Sequence, residues 1–122
     1  GEIYFRQLEH KVLIDFLETH DNYVLSLGGG TPMYYNNAEI TLVENSISSF
    51  YLDGHVKTIV NRLSNTPETR PLIAHLSNKD DLTDFVRKHL FERVPVYRKA
   101  KHTINVDHKS IAEVANSLLI LV

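Results

Sequence analysis

The sequence predicts an α/β domain built on a parallel sheet, and three observations carry that reading. Helical and strand-like hydrophobic patterns alternate in the order α-β-α-β-α-loop-α-β-α. Strands separated by helices close into parallel sheets with right-handed crossovers. Tyr23 to Leu27 is a short, mostly apolar run of the kind buried on both faces of such a sheet. Gly28-Gly29-Gly30 ends that run abruptly and a Thr31-Pro32 pair follows. Open α/β sheets bind ligands at the carboxyl ends of their strands, where glycine lets another group approach the bare backbone.

The elements follow from periodicity. Phe5, Leu8, Val12, Leu13, Phe16 and Leu17 fall at helical spacing, so Tyr4 to about Thr19 reads as an amphipathic helix. Asp21-Asn22 turns the chain into the strand at Tyr23 to Leu27. Asn36-Asn37 is placed to cap a short helix through about Glu44 that buries Ile40, Leu42 and Val43. Ile47 to Leu52, ending in Asp53, is a second strand, and Val56, Ile59, Val60 and Leu63 mark a helix that stops near Asn65. Residues 64–78 lack periodicity and contain Pro67 and Pro71, which makes them a long loop of the kind that often serves as a lid. A helix then starts at Lys79-Asp80-Asp81, with Pro95 expected to break or kink it. Thr103 to Asp107 alternates as a third strand. Ser110 and Glu113 have capping-box spacing at the start of a last helix whose apolar face includes Ile111, Val114, Leu118 and Leu119.

Composition narrows the function. At 122 residues the chain reads as a single domain, residues 1–122, and its 43% hydrophobic content is ordinary for a globular protein. A net charge of −2 with intermixed signs gives no nucleic-acid footprint. Without cysteine there is neither a disulfide framework nor a thiolate metal site. No apolar run is long enough for a membrane span and no signal peptide is evident. The expectation is a soluble, cytoplasmic protein with no membrane partner. The chain opens at Gly1-Glu2 and enters helical pattern almost at once, which reads as entry into the middle of a fold.

The arginines are the chemistry-bearing residues. Arg6 shares a helix face with Glu9, three residues on, the spacing of an ordinary surface ion pair. Arg70 sits in the long loop, either solvated or able to close over an anionic ligand. Arg93 lies beside Pro95, where it can cap helix carbonyls or be aimed inward. Arg62 precedes the loop and is either a surface residue or able to stack on a ring. Taken together they describe a site for anions, because guanidinium groups grip carboxylates and phosphates with paired, charge-assisted hydrogen bonds.

Other chemistries lack support. The seven histidines show no HExxH or other compact ligand spacing, and no metal site is expected from the side chains. Ser26 precedes the glycines with the wrong flanks for a hydrolase nucleophile elbow. Met33 stands where the dinucleotide fingerprint needs its third glycine, and no Walker A sequence occurs in these residues.

The ordered set Gly1-Glu2-x-x-Phe5-Arg6-x-x-Glu9, Ser26-Leu27-Gly28-Gly29-Gly30, Arg62, Arg70-Pro71-Leu72 and Arg93-x-Pro95-x-Tyr97 resembles shikimate kinase, from Gly1 to about Asp107. The resemblance implies a P-loop, nucleoside-monophosphate-kinase-like three-layer αβα fold. It implies transfer of the ATP γ-phosphoryl group to the 3-hydroxyl of shikimate, with Mg2+, in aromatic amino-acid biosynthesis, by an enzyme that is a monomer when full length. By the same resemblance Arg6 and Arg93 hold the shikimate carboxylate, Glu9 orients Arg6, and Gly28, Gly29 and Gly30 line the substrate pocket. Arg70 reaches the transferring phosphoryl group, so that it is both catalytic and nucleotide-binding, and Pro71 and Leu72 pack near the substrate. Arg62 stacks on adenine, with the loop of His108, Lys109 and Ser110 closing the other side of the ring.

The family's Walker A loop, its first strands and the aspartate that orients the shikimate hydroxyl precede the segment that starts at Gly1. Phosphoryl transfer depends on charge neutralisation around the phosphates, so residues 1–122 alone are expected to be inactive. The family's P-loop strand lies between strands that this segment retains, so its absence is expected to expose two interior edges. The competing reading is a non-catalytic small-anion-binding or interaction module of the same fold. An unrelated α/β dinucleotide enzyme lacks its fingerprint.

Overall fold

The structure, a computed structural model, describes residues 1–65 and 78–122. Its elements are α1 (Glu2–Thr19), β1 (Phe50–Asp53), α2 (Val56–Ser64), α3 (Lys79–Tyr97), β2 (His102–Asn105) and α4 (Ile111–Leu121). A 3₁₀ turn at Thr31–Met33 and a π-helical turn at Glu39–Val43 lie between α1 and β1. The long loop expected at 64–78, with Arg70, Pro71 and Leu72, falls mostly on residues 66–77, outside the described residues.

The described sheet is parallel, as expected, and pairs β1 with β2 in the register Phe50–His102, Tyr51–Thr103, Leu52–Ile104 and Asp53–Asn105. Both strands are shorter than the sequence pattern suggested and shifted by one to three residues at their starts. Ser49, just before β1, explains one boundary. Its hydroxyl donates to the Leu42 carbonyl at 2.7 Å and accepts from the Lys101 amide at 2.9 Å, so the ladder starts behind a side-chain bridge.

The first expected strand requires correction. Tyr23 to Leu27 is not assigned as strand. Extended backbone becomes strand only where a neighbour takes its N–H and C=O groups, and the described sheet holds only β1 and β2. Val24 is 100% exposed. The apolar stripe of α1 is likewise open: Phe5, Leu8 and Val12 are exposed and only Leu13 is buried. That stripe and the 25–28 segment face each other across a groove of about 410 Å³.

The compact core lies elsewhere. Val60 of α2 is 1% exposed and packs with Leu82 and Val86 of α3, flanked by Val56, Ile59, Leu63 and Leu90. α2 starts on His55, whose ring accepts from the Lys57 amide, and α3 on Asn78, whose side chain accepts from the Asp81 amide. Pro95 does not break α3, which runs on to Tyr97. It sits in the last turn, where the helix ends two residues later and a single missing donor is tolerated. The capping box at Ser110 and Glu113 forms in both directions. The apolar face expected of α4 is not buried, and Ile111 and Leu119 are both exposed.

The short helix around residues 36–44 also departs from expectation. Asn37 does not cap it but is fully buried, and Val43 is exposed while Leu42 is buried and Ile40 half-buried. Tyr35 and Asn36 adopt left-handed backbone, with φ of 52° and 62°, and this turn carries Asn37 inward. Thr41 Oγ1 then donates to the Asn37 carbonyl at 2.6 Å, a side-chain bond that competes with the helical ladder.

Candidate functional site

The three glycines form a strap along which three different side chains are held. A Cβ on Gly28 would meet Thr31 Oγ1 at 3.1 Å and Glu9 Oε2 at 3.9 Å. On Gly29 it would meet Arg93 Nη1 at 3.2 Å and the Tyr97 hydroxyl at 3.3 Å. On Gly30 it would lie 2.6 Å from Arg6 Nη2. Consecutive glycines therefore face Glu9, Arg93 and Arg6 in turn, and α1 and α3 are brought to one short backbone segment. All three have negative φ, so here glycine provides close approach rather than conformational freedom.

Arg6 is the better ordered of the two arginines. Its Nη1 donates to Glu9 Oε1 at 3.0 Å, its Nε lies 3.8 Å from Glu2 Oε1, and its guanidinium sits 4.6 Å over the Tyr34 ring. Burial works against the Arg6 charge, but the hydrogen bond and charge of Glu9, with the Glu2 carboxylate, outweigh it and hold the pKa above its ordinary value. Arg6 Nε is buried without a hydrogen-bond partner. Glu9 completes its own shell by accepting from Thr31 Oγ1 at 2.8 Å.

Arg93, half-buried on α3, makes no hydrogen bond or ion pair among the described residues. One turn on, the Tyr97 hydroxyl donates to the Gly29 carbonyl, a short bond that ties α3 to the strap. Tyr97 also packs against the Tyr51 ring at 5.3 Å. With Glu9 balancing Arg6, the guanidinium of Arg93 leaves an unbalanced positive charge beside bare backbone, an arrangement that attracts a small anion.

Arg62, on α2, reaches a different loop from the strap. Its Nη2 donates to the Val106 carbonyl at 3.1 Å and approaches the Lys109 carbonyl at 3.5 Å. The same loop holds His108 in left-handed backbone, φ 58°. Asp107 anchors it by accepting from Thr58 Oγ1 at 2.6 Å and from the His55 amide at 2.9 Å, and these bonds hold its carboxyl below the usual range. Arg62 and Lys109 are thus brought together, while the structural place of Arg70, Pro71 and Leu72 lies outside the described residues. Among the described residues no group of three His, Cys, Asp or Glu side chains is placed to hold a metal ion. No described helix is long and apolar enough to cross a membrane.

The family model for shikimate kinase matches residues 1–122. The chain is 40% identical over 119 residues to the shikimate kinase of Flavobacterium johnsoniae, covering 98% of this chain and 68% of that protein. The chain belongs to the shikimate kinase family. The shikimate kinase of Flavobacterium psychrophilum is 41% identical over 118 residues, covering 97% of this chain and 67% of that protein. A crystal structure of shikimate kinase from Bacteroides thetaiotaomicron superposes with a TM-score of 0.85 at 30% identity, covering 99% of this chain and 67% of that one. The fold is therefore the P-loop fold of shikimate kinases.

Several residues that shape the site carried no signal in the sequence. Thr31, Asn37 and Tyr34 are ordinary residue types at no diagnostic spacing, and folding brings Thr31 to Glu9, Tyr34 to Arg6 and Asn37 to His10, the chain neighbour of Glu9. Tyr97 stood in the sequence motif without a role; its bond to Gly29 supplies one.

Proposed function

We propose that the protein is a shikimate kinase, transferring the γ-phosphoryl group of ATP to the 3-hydroxyl of shikimate in the biosynthesis of aromatic amino acids. The observation that carries the reading is the convergence of Arg6, Glu9 and Arg93 on Gly28-Gly29-Gly30. In this reading Arg6 and Arg93 grip the shikimate carboxylate, and Glu9 holds Arg6 in place. The bare backbone of the glycines lets the ring of the substrate lie close to both. Arg62 and the 106–109 loop form a wall for the purine, and residues 64–78 act as the lid, bringing Arg70 to the phosphoryl group and Pro71 and Leu72 over the substrate.

In this reaction the 3-hydroxyl oxygen loses its proton, ultimately to solvent, and forms a bond to the γ-phosphorus, while the bond to the bridging oxygen breaks and ADP leaves. Mg2+ neutralises phosphate charge when it is bound with the nucleotide. The described side chains offer no cluster to hold it, and the chain's own arginines serve in binding, orientation and charge balance. Residues 1–122 contain no Walker A sequence. A polypeptide of these residues alone is expected to lack phosphoryl-transfer activity.

The test is ADP release by the intact protein with and without shikimate, with the product located by phosphorus NMR. Shikimate-dependent ADP formation and phosphate on the 3-hydroxyl are expected. Turnover indifferent to shikimate contradicts the reading.

A further inference from the structure

Three hydrogen bonds form a circuit that leaves α1 at His10 and returns to it at Glu9, and a fourth, within α1, joins Glu9 to Arg6. His10 Nδ1 lies 2.7 Å from Asn37 Oδ1, and Asn37 Nδ2 donates to the Thr31 carbonyl at 2.9 Å. The second bond fixes the orientation of the Asn37 amide, so its oxygen faces His10 and His10 carries its proton on Nδ1. Thr31 Oγ1 donates to Glu9 Oε2 at 2.8 Å, and Arg6 Nη1 donates to Glu9 Oε1 at 3.0 Å. Asn37 is 0% exposed and Thr31 4% exposed, so water does not compete for these groups. The circuit is closed by the left-handed turn at Tyr35-Asn36, a conformation disfavoured for a tyrosine. Such local strain persists where the surroundings over-determine it.

The consequence falls on Arg6. Glu9 has two carboxylate oxygens, one for Arg6 and one for Thr31. Without the Thr31 bond the Glu9 carboxylate is free to rotate and takes the Arg6 guanidinium with it. With the bond, Arg6 is pressed against Gly30, leaving its Nη2 edge without a protein partner among the described residues. We propose that Thr31, backed by Asn37, is a positioning residue that locks Glu9 so that Arg6 meets the substrate carboxylate in a fixed orientation. The proposal rests on the shikimate kinase reading above and deepens it. Thr31 is then part of the substrate-recognition machinery while itself buried and turned to Glu9.

The experiment is calorimetric titration of shikimate into the intact protein, its Thr31→Val variant and its Thr31→Ser variant, with a melting curve for each. Valine keeps the β-branched shape and removes only the hydroxyl; serine keeps the hydroxyl. Thr31→Val weakens shikimate binding about tenfold, about 1.4 kcal/mol, and Thr31→Ser stays within about twofold of the native protein, while melting temperatures remain close. If Thr31→Val fails to fold, Thr31→Ala, which cannot overpack the site, takes its place in the comparison. Native-like affinity in Thr31→Val overturns the proposal and leaves the functional reading standing. Equal losses in Thr31→Val and Thr31→Ser also overturn it, because they mark a packing role. A folded native protein with no saturable shikimate binding overturns the functional reading itself, and the proposal falls with it.

Discussion

Gly30 and Arg6 are in direct opposition: a Cβ on Gly30 would lie 2.6 Å from Arg6 Nη2 and 3.0 Å from Cζ. The atoms it would meet belong to the far end of a flexible side chain. Relief is therefore cheap in stability and costly in position, because Arg6 moves and the strap does not.

Gly30→Ala separates those two costs. Gly30 has φ −90° and ψ −12°, which alanine accepts without strain. Stability should change by less than about 1 kcal/mol, within the range of most mild substitutions. Shikimate affinity should fall about tenfold or more, since a displaced guanidinium loses its paired geometry. Urea melts and shikimate titration on the same variant check both halves.

Asn37→Leu should show the opposite pattern, a large loss of stability. The substitution leaves the Thr31 carbonyl and His10 Nδ1 without their partners inside the protein. Thr31 is buried and His10 half-buried, so the full cost of an unsatisfied group, about 1–3 kcal/mol, applies to the Thr31 carbonyl, and a loss of about that size is expected. A shift of the urea midpoint at unchanged m-value measures it.

Stability should also fall in acid, and Asp107 should contribute. Hydrogen bonds from Thr58 and from the His55 amide hold its folded carboxyl below the ordinary range, and the Ser110 capping bonds do the same for Glu113. Folded and unfolded states then differ in proton uptake below the unfolded carboxylate pKa of about 4. The stabilisation is fully present above that pH and is lost as pH falls through the lower folded value. Asp107→Asn should flatten the acid limb of a stability-versus-pH curve.

At the alkaline end, Tyr51 should be a late-titrating phenol. Burial, then the charge and hydrogen bond of Asp53, push its pKa up to about 12. Its stabilising contribution is intact below the unfolded tyrosine pKa of about 10 and is lost as pH rises through the folded value. Ultraviolet titration of phenolate in the native protein and in Tyr51→Phe should differ by one step at the high-pH end.

Much of the fold was legible because its signals are local. The apolar spacing of Val56, Ile59, Val60 and Leu63 marks α2, and Ser110 with Glu113 marks a capping box that forms. Tyr23 to Leu27 reads as a strand by composition, but pairing is a property of neighbours, and no described strand accompanies it. Pro95 looked like a breaker because its position within the final turn of α3 cannot be seen from the residue type. In the site, charge and glycine were visible, so Arg6, Arg93 and Gly28-Gly29-Gly30 stood out, and they do converge. The hydrogen-bonded support through Thr31, Asn37 and His10 was not, because it joins residues 22 and 27 positions apart through neutral side chains of common types.

In the proposed function Arg93 and Arg6 together hold the carboxylate of shikimate. The most direct test is calorimetric titration of shikimate into the intact native protein and its Arg93→Ala variant. Hydrogen bonds to charged groups contribute about 1.5–3 kcal/mol. Arg93→Ala should therefore weaken binding about ten- to a hundredfold, with the melting temperature little changed. Binding by Arg93→Ala as tight as by the native protein would contradict the account.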